Sequence, residues 1–509
     1  MYSEVALILR KSLVILFCFS FLAIAIPTQA IQRPSTPSCV GQQTSTMVQA
    51  ESLKRGVSPG IISPTKNLFV YTSGQTFRCG EKIEIYVGGI GLKSKKVNVA
   101  FFRMGNYRGS EISKVEQISG LKVPLVRAPI TNSVSGFYAE NSKPILIQKV
   151  NPNWAPGLYL VGVQIKGKSA SKWVYHPIVI GALDSPRVLV AVGSMTTAAY
   201  SKWGGKSLYS GVDGMASSRA TTVSLRRPAT VGTVRSLAAF ASAAEKHDSS
   251  IGYIQDFDLD SNYTISNILN SPPSVLLFPE HTEYFTRVMR LNLQTMIDAG
   301  INVGFLSANS IHWPTTVNRN SKTGAVTGFY IDKRLGTFRQ SGMYEQSIVG
   351  QGYVAYDCDS TNVELPNPRN WLFEGIAEST GFAYGRIIGG EIDQFNPDQP
   401  SPADVQILAA TPVSCNSTNT IHYSTMTQYS ATSGAGVLSV GSTAFICSLG
   451  RICNPSDPDG VTVSNQLLGN IIAKMNHGPA GAEMTQGVTS VVIGQPEVSE
   501  PDPDHSLSH

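Results

Sequence analysis

The chain has 509 residues, too many for one ordinary hydrophobic core, so we expect two domains. Its 40 basic and 35 acidic residues give a net charge of +5 and are dispersed, which argues against nucleic acid or a membrane surface as a partner. A hydrophobic content of 42% with 46 glycines is typical of a strand-rich globular protein and excludes a largely disordered one.

The first 30 residues have the pattern of a secretory signal peptide. Arg10 and Lys11 precede the apolar run "SLVILFCFSFLAIAI", and small residues then offer a cleavage site after Ala30. A transmembrane anchor is the alternative, but the run is short for a full span. We therefore expect a secreted or periplasmic protein that makes no membrane contact once residues 1–30 are removed.

Six cysteines remain after signal removal, namely Cys39, Cys79, Cys358, Cys415, Cys447 and Cys453. An even number in an exported chain favours disulfides, although the sequence alone does not select among the connectivities. Cys447 with Cys453 is the best single pair because the loop between them is short.

Two segments precede the second half of the chain. Residues 31–60 are rich in Ser, Thr, Pro and Gln and are interpreted as a linker. Residues 61–182 contain short apolar runs, such as "KIEIYVGG" and "GLYLVGVQI", that are separated by Gly, Asn and Pro. This pattern predicts an immunoglobulin-like β-sandwich.

The pattern changes at residue 183. A continuous apolar strand at 187–192 is followed by a helix at 233–247, and strands and helices then alternate. Uninterrupted apolar strands between helices predict a parallel sheet covered on both faces. We expect an α/β domain over 183–490, of flavodoxin-like or class I glutamine-amidotransferase-like type, and a disordered acidic tail over 491–509.

Polar side chains follow several of the predicted parallel strands. Tyr200 lies in "AAYSKWGG", His281 and Glu283 lie in "PEHTEY", and Asn309 lies in "SANSIHW". Parallel sheets bind ligands just beyond the carboxyl ends of their strands, so these loops are expected to converge. Glu391, in "RIIGGEID", follows another apolar run and is a further candidate.

Several common catalytic motifs are absent from the sequence. It contains no GxSxG nucleophile elbow, no HExxH, no Walker loop and no GxGxxG after the first strand of the α/β region. Serine hydrolases, zincins and nucleotide-dependent enzymes are therefore disfavoured.

At these residues the sequence resembles the large (beta) subunit of N,N-dimethylformamidase and the wider family named after its C-terminal domain. The resemblance spans about residues 70 to 475. It is carried by "FFRMGNYRG", "NWAPGLYLV", "AAYSKWGGKSLY", "QDFDLD", "PEHTEYFT", "GFLSANSIHW", "IVGQGY", "RIIGGEID" and "GAGVLSVGSTAF".

The resemblance implies a mononuclear ferric iron, held by two tyrosines and one glutamate, that serves in hydrolysis of a small amide. Carried over to this sequence, Glu283 and Tyr200 would be iron ligands. His281 and Asn309 would orient the ligands or the substrate, and Glu391 would be the base. Tyrosine has a pKa of about 10, so a phenolate at neutral pH requires strong positive charge such as that of a ferric ion.

The second tyrosine ligand stays open. Tyr159 in "GLYLVGV" falls at about the right place for the family, but it shares a strand face with Val161 and Val163 and suits a core position. Tyr284, beside Glu283, is the local competitor.

The resemblance also bears on partners and on the alternative function. The amidase works with a separate small subunit, so either that partner or a homo-oligomer is expected beside a small amide substrate. The alternative is a non-catalytic protein that binds a ligand or carbohydrate on a degenerate enzyme fold, which would need no iron.

Overall fold

The computed structural model describes residues 39–491, except 40, 66, 90–91, 93–94, 124–129, 133–135, 139–142, 168–171, 366–369, 377–384, 454 and 489. The predicted signal peptide and the predicted disordered tail from residue 492 onward lie outside the described residues. The described residues of Ser35–His509 form one compact unit.

The first part of the chain is built almost entirely of strands. One sheet has the order β1-β11-β10-β5-β6 with β3 beside β11, a second has the order β2-β4-β9, and β7 pairs with β8. The elements are α1 (Thr44–Ser52), β1 (Gly60–Ile61), β2 (Phe69–Thr72), β3 (Thr76–Phe77), β4 (Lys82–Gly88), β5 (Lys96–Tyr107), β6 (Ser110–Lys122), β7 (Ile130–Asn132), β8 (Gly136–Tyr138), β9 (Leu146–Lys149), β10 (Gly157–Ile165) and β11 (Lys172–Ile180).

The first two sheets share one apolar core. Ile83 and Ile85 of β4 alternate with more exposed residues, and they pack in the same cluster as Val161 and Val163 of β10. This alternation is the pattern by which a strand buries one face. The two sheets thus share a common core, and the immunoglobulin-like β-sandwich remains a prediction.

Part of the segment predicted to be a linker is a docked helix. Val48 of α1 lies in the core with Phe102 and Trp173, and Glu51 accepts a 3.0 Å hydrogen bond from the Tyr107 hydroxyl. The linker interpretation is therefore wrong for Thr44–Ser52. A single buried valine in a polar helix gives little amphipathic signal, which explains the error.

The second part of the chain begins with alternating strands and helices. These elements are β12 (Val188–Val192), α2 (Ser194–Tyr200), β13 (Thr222–Ser224), α3 (Val231–His247), β14 (Ile251–Gln255), α4 (Asn262–Asn270), β15 (Val275–Phe278), β16 (Tyr284–Thr286), α5 (Arg287–Asp298) and β17 (Asn302–Phe305).

Longer strands and three terminal helices follow. They are β18 (Trp313–Arg319), β19 (Val326–Tyr330), α6 (Gln346–Val349), β20 (Gly352–Thr361), β21 (Ile388–Gln394), β22 (Gln406–Cys415), β23 (Thr420–Ser430), β24 (Gly436–Ser439), α7 (Ala444–Leu449), α8 (Pro458–Met475) and α9 (Gly481–Thr485).

The central sheet of the second part is mixed, with nine strands in the order β14-β12-β15-β17-β24-β23-β22-β20-β21. The first five strands are parallel, and the rest are antiparallel. Numbered along the chain, the parallel strands have the order 2-1-3-4-5, which flavodoxin-like sheets share. We propose that class for this part of the chain.

Helices cover both faces of the parallel strands. Val188 and Val190 of β12 pack in one core with α3 and α8, whereas Leu189 and Ala191 pack in the other with α5. A strand whose two faces are both buried has the continuous apolar run that the sequence displays. The four antiparallel strands that extend the sheet, together with the small sheet β13-β19-β18-β16, were not predicted.

The two parts of the chain are joined by a buried ion pair. Arg103 of β5 donates to both carboxylate oxygens of Glu245 in α3, at 2.5 and 3.1 Å, and also to the carbonyl of Pro156. Phe102 packs in the same core as Phe240. The change of pattern at residue 183 is therefore not a boundary between separate cores.

All six cysteines that follow the predicted cleavage site form disulfides, Cys39–Cys79, Cys358–Cys415 and Cys447–Cys453. The predicted Cys447–Cys453 pair is confirmed. Disulfides are typical of proteins that mature in oxidising compartments. Among the described residues, no helix is both long and apolar enough to cross a bilayer.

Candidate functional site

Hydrogen bonds to its N–H and to its carbonyl fix the backbone of Glu283. Its N–H donates to the Thr196 hydroxyl of α2 at 3.0 Å, and its carbonyl accepts from the N–H groups of His312 and Trp313 at 2.9 and 2.8 Å. Glu283 is fully buried. The segment that follows β15 is thereby held between α2 and the start of β18.

Three phenols surround the Glu283 carboxylate. The Tyr209 hydroxyl donates to this group and lies 2.7 and 2.8 Å from its two oxygens. The Tyr284 hydroxyl donates to Tyr209 at 2.6 Å, and the Tyr200 ring packs against the Tyr209 ring at 4.4 Å between centroids. We call Tyr200, Tyr209, Tyr284 and Glu283 the phenol–carboxylate cluster.

The environment of the cluster keeps its phenols protonated in the absence of a cation. Burial raises the pKa of Tyr200, Tyr209 and Tyr284 well above the ordinary value, and the Glu283 carboxylate raises each pKa further. A phenol beside a carboxylate resists ionisation because two negative charges would then repel in a poorly solvated place. A bound cation would reverse this preference.

Glu391 lies beside the cluster, and each of its carboxylate oxygens accepts a hydrogen bond. The Asn309 side-chain amide donates to one oxygen at 2.7 Å, and the Tyr200 hydroxyl donates to the other at 3.2 Å. His281 Nδ1 is 3.7 Å from that second oxygen. The side chains of Glu391 and His281 are 17% and 18% exposed, so both reach solvent, unlike Glu283.

The local backbone explains the glycines before Glu391. Gly390 has φ +74°, and a Cβ there would lie 2.4 Å from the Thr443 hydroxyl oxygen, so a side chain fits neither the conformation nor the space. The Glu391 N–H donates to that hydroxyl at 2.9 Å, and the Thr443 N–H donates to the Glu391 carbonyl at 3.1 Å. These bonds tie β21 to the start of α7 and set the direction of the Glu391 side chain.

Two residues after β17 have left-handed backbones. Asn309 has φ +52° and Ile311 has φ +59°, which is rare for a β-branched residue. The Asn309 N–H donates to Asp393 at 2.7 Å, and the Ile311 N–H donates to the Thr282 carbonyl at 2.9 Å. Such conformations persist only where the surroundings enforce them, often at functional sites.

A cavity of 590 Å³ opens beside this arrangement. Tyr200, Trp203, Glu280, His281 and Thr443 are part of its lining. The volume falls within the range of small-molecule pockets. A ligand in this cavity would contact one phenol of the cluster and the histidine next to Glu391.

A lysine lies behind the cluster. Lys333 Nζ is 3.9 Å from the Tyr209 ring centroid, 4.6 Å from that of Trp313 and 5.8 Å from that of Tyr284. A cation over aromatic faces at these distances is attracted by the rings. Its charge also favours a negative phenol oxygen.

The structure brings together five of the six site residues that the sequence pointed to, namely Tyr200, His281, Glu283, Asn309 and Glu391. Tyr159 lies elsewhere, in the core of the first part of the chain. Its ring stacks on Trp154, and its hydroxyl donates to the Ala155 carbonyl at 2.7 Å. Tyr159 is thus a core tyrosine with a satisfied hydroxyl, away from the cluster.

Two residues of the arrangement were not selected from the sequence as site residues. Tyr209 lies in the loop after α2, nine positions beyond Tyr200, which ends that helix, and the spacing does not indicate a ligand. Lys333 lies on a short turn, Lys333–Leu335, far along the chain from the motifs. A signal for Tyr209 was present in "AAYSKWGGKSLY", whose second tyrosine it is.

The oxygens of the cluster are of the kind that ferric iron prefers. Phenol and carboxylate oxygens are hard donors. In this structure they are joined by short hydrogen bonds from the phenol hydroxyls. Within the part of the chain that the structure describes, no group of three His, Cys, Asp or Glu side chains could hold a metal. A metal in this region would therefore depend on the phenols.

The sequence matches a model of a known protein family. The family model described as N,N-dimethylformamidase beta subunit-like, C-terminal, matches residues 98–459. The chain belongs to this family. No curated protein matches the chain.

The N,N-dimethylformamidase beta subunit-like region covers every residue of the arrangement. It begins within β5 and extends past α7, so it contains the phenol–carboxylate cluster, Lys333 and Glu391. It also contains Arg103 and Glu245, the two residues of the buried ion pair. The family match thus spans the junction between the two parts of the chain.

Proposed function

We propose that this chain is an exported hydrolase of a small amide C–N bond that uses one ferric iron. The observation that carries the proposal is the phenol–carboxylate cluster, which lies beside Glu391 at a cavity. Membership of the dimethylformamidase-like family supports the reaction class. The predicted signal peptide and the disulfides support export.

The iron would be held by Glu283, Tyr209 and Tyr200. Tyr284 would form a hydrogen bond with Tyr209. When bound, iron would polarise the amide carbonyl or lower the pKa of a coordinated water. Both oxygens of the buried Glu283 carboxylate face the same point, where the Tyr209 hydroxyl lies at 2.7 and 2.8 Å from them. Tyr209 replaces Tyr159 as the second tyrosine in this proposal.

Glu391 acts as the base in the proposed reaction. Bonds from Asn309 and Tyr200 orient its carboxylate, and its partial exposure lets it reach a water molecule. It takes a proton from that water as the oxygen bonds to the amide carbon. His281 lies against the same carboxylate and, in its protonated form, would stabilise the negative charge.

Asn309 is the residue most suited to orient the substrate. Its Nδ2 is committed to Glu391, while its Oδ1 is buried and accepts no hydrogen bond from the described residues. A buried acceptor without a donor costs about 1–3 kcal/mol. An N–H group or a water molecule of the bound state would satisfy it.

Association with a second chain is also proposed. The family is named for a beta subunit, which suggests a separate small subunit, and a homo-oligomer is the other arrangement. Mass measurement of the native protein, alone and after expression with its neighbouring genes, separates these arrangements.

Elemental analysis with a visible spectrum tests the function. We expect about one iron per chain, a phenolate-to-iron charge-transfer band and hydrolysis of formamides that stops on iron removal and returns on ferrous or ferric addition. An iron-free, colourless and inactive protein, purified without chelators, would contradict the proposal. That result would favour the alternative, a protein that binds a ligand or carbohydrate in the same cavity.

A further inference from the structure

Glu280 is a carboxyl group that lines the cavity, and the reaction described above does not use it. It lies two residues after the end of β15 and lines the cavity together with His281 and Tyr200. One of its oxygens accepts a 3.2 Å hydrogen bond from the Gly193 N–H. A carboxyl group can accept this bond whether it is ionised or protonated, so the bond does not fix its charge.

The surroundings of Glu280 differ from those of Glu391. Burial raises the pKa of Glu280 to about 7, while the charge of His281 and the Gly193 N–H act in the opposite direction. The Asp256 carboxyl is close enough that Glu280 raises its pKa, and Lys202 lines the same cavity. Glu280 therefore holds a proton over part of the neutral range. Glu391 differs in its contacts, since it accepts hydrogen bonds from Asn309 and Tyr200.

Hydrolysis of an alkyl amide needs a proton donor as well as a base. The nitrogen cannot depart as an amide anion in water, so it must gain a proton as the C–N bond breaks. Enzymes commonly meet this requirement with one group that accepts a proton and a second group whose surroundings keep it protonated.

We propose that Glu280 donates this proton to the leaving amine. The inference rests on the proposed amide hydrolysis and assigns a second acid–base residue to it. Water adds to the carbonyl carbon and loses a proton to Glu391. The C–N electron pair then passes to nitrogen, which takes the Glu280 proton, and a carboxylic acid and an amine are released.

The resting state is restored by one proton transfer. After turnover, Glu391 is protonated and Glu280 is ionised. Glu391 is partly exposed and Glu280 lines the cavity, so the proton returns from Glu391 to Glu280 through solvent and no other reactant is consumed.

The leaving group provides the sharpest test. Glu280→Gln should lower kcat on N,N-dimethylformamide by about 10²–10⁴-fold, because an alkylamine cannot leave without a proton. On a formate ester of an acidic phenol, whose leaving group needs no proton, the loss should stay below about tenfold. The glutamine can still accept from Gly193, and Glu483→Gln, which changes an exposed carboxylate, is the matched control.

The pH profile adds an independent kinetic readout. The wild type should lose kcat on the formamide as pH rises through the pKa of Glu280, and Glu280→Gln should lack this limb. Glu280→Asp should recover part of the activity and keep the limb. Equal losses on both substrates, with an unchanged profile, would overturn the role of Glu280 while leaving the hydrolase function intact.

Infrared difference spectra test the proton without turnover. The wild type should have a protonated-carboxyl stretch that is absent from Glu280→Gln and that titrates near neutral pH. Absence of that band over pH 5–7 would overturn the inference even in an active enzyme. A wild type without iron and amide turnover would instead overturn the proposed function, and this role with it.

Discussion

The Tyr209 hydroxyl lies 2.7 and 2.8 Å from the two carboxylate oxygens of Glu283. These residues come from different loops, one after α2 and one after β15, and each is buried. Because one phenol contacts both oxygens, the position of Tyr209 and the orientation of Glu283 depend on each other. A change to either residue should therefore disturb the other.

Glu283→Ala should remove both colour and iron. It deletes the carboxylate among three proposed ligands and leaves the Tyr209 hydroxyl without its acceptor, while the Tyr284 hydroxyl can still donate to Tyr209. We expect a stability loss of about 1–3 kcal/mol in the metal-free protein from the unsatisfied Tyr209 hydroxyl. Iron content and thermal unfolding measure the two effects, and iron retention at the wild-type level would refute the ligand role.

Tyr209→Phe and Tyr159→Phe form a matched pair of phenol deletions. The first should bleach or shift the charge-transfer band, because it removes a proposed ligand. The second removes only the hydrogen bond to Ala155 and should leave the band unchanged at a cost of about 1 kcal/mol in stability. Visible spectra of both variants decide, and a band change in Tyr159→Phe alone would reverse the assignment.

Glu391→Gln should retain iron and colour while losing most amide turnover. The glutamine approximates the shape of the carboxylate but cannot accept the proton, so a loss of about 10²–10⁴-fold in kcat is expected. Assay and elemental analysis belong on the same preparation. If iron is lost as well, Glu391 is a ligand and the roles of Glu283 and Glu391 must be revised.

Lys333→Met should shift the charge-transfer band to longer wavelength. The ammonium group lies 3.9 Å from the Tyr209 ring centroid and stabilises electron density on that phenol. Its removal raises the energy of the donor electrons, so less energy is needed to transfer one to iron. A spectrum that matches the wild type would show that Lys333 only packs against the rings.

Asp393→Asn should flatten the dependence of stability on pH. Burial raises the pKa of Asp393 to about 8, above its value of about 4 in the unfolded chain. The folded state therefore binds this proton more tightly, and its contribution is full below about pH 4 and lost progressively toward pH 8. Asparagine stays neutral and can still accept from the Asn309 N–H, so unfolding measured from pH 5 to 8 should change less in the variant.

The sequence predicted the parts of the site that local patterns determine. Tyr200, Glu283 and Asn309 follow strands whose apolar runs are unmistakable, and parallel strands bring their carboxyl ends to one edge. Glu391 was also selected from the sequence, but its place beside the cluster could not be predicted, because it comes from an antiparallel strand, β21, that is positioned by pairing with β20 and by Thr443. Such long-range pairing leaves no periodic signal in the sequence.

The choice among tyrosines also required three dimensions. Tyr159 and Tyr209 are both buried, and only their neighbours differ. Tyr159 stacks on Trp154 and donates to a backbone carbonyl, whereas Tyr209 donates to the Glu283 carboxylate. The docked helix α1 was hidden for a related reason, since its one core residue, Val48, is surrounded by polar residues in sequence.

The ion pair between Arg103 and Glu245 has a consequence for how the chain can be divided. A fragment that starts after residue 182 would lose Arg103 and would expose to water both Glu245 and the apolar face of α3 that packs with Phe102. The first part of the chain is therefore comparable to the obligate subunit of a heterodimer, although it shares one polypeptide with the second part. We expect that neither part can be exchanged alone.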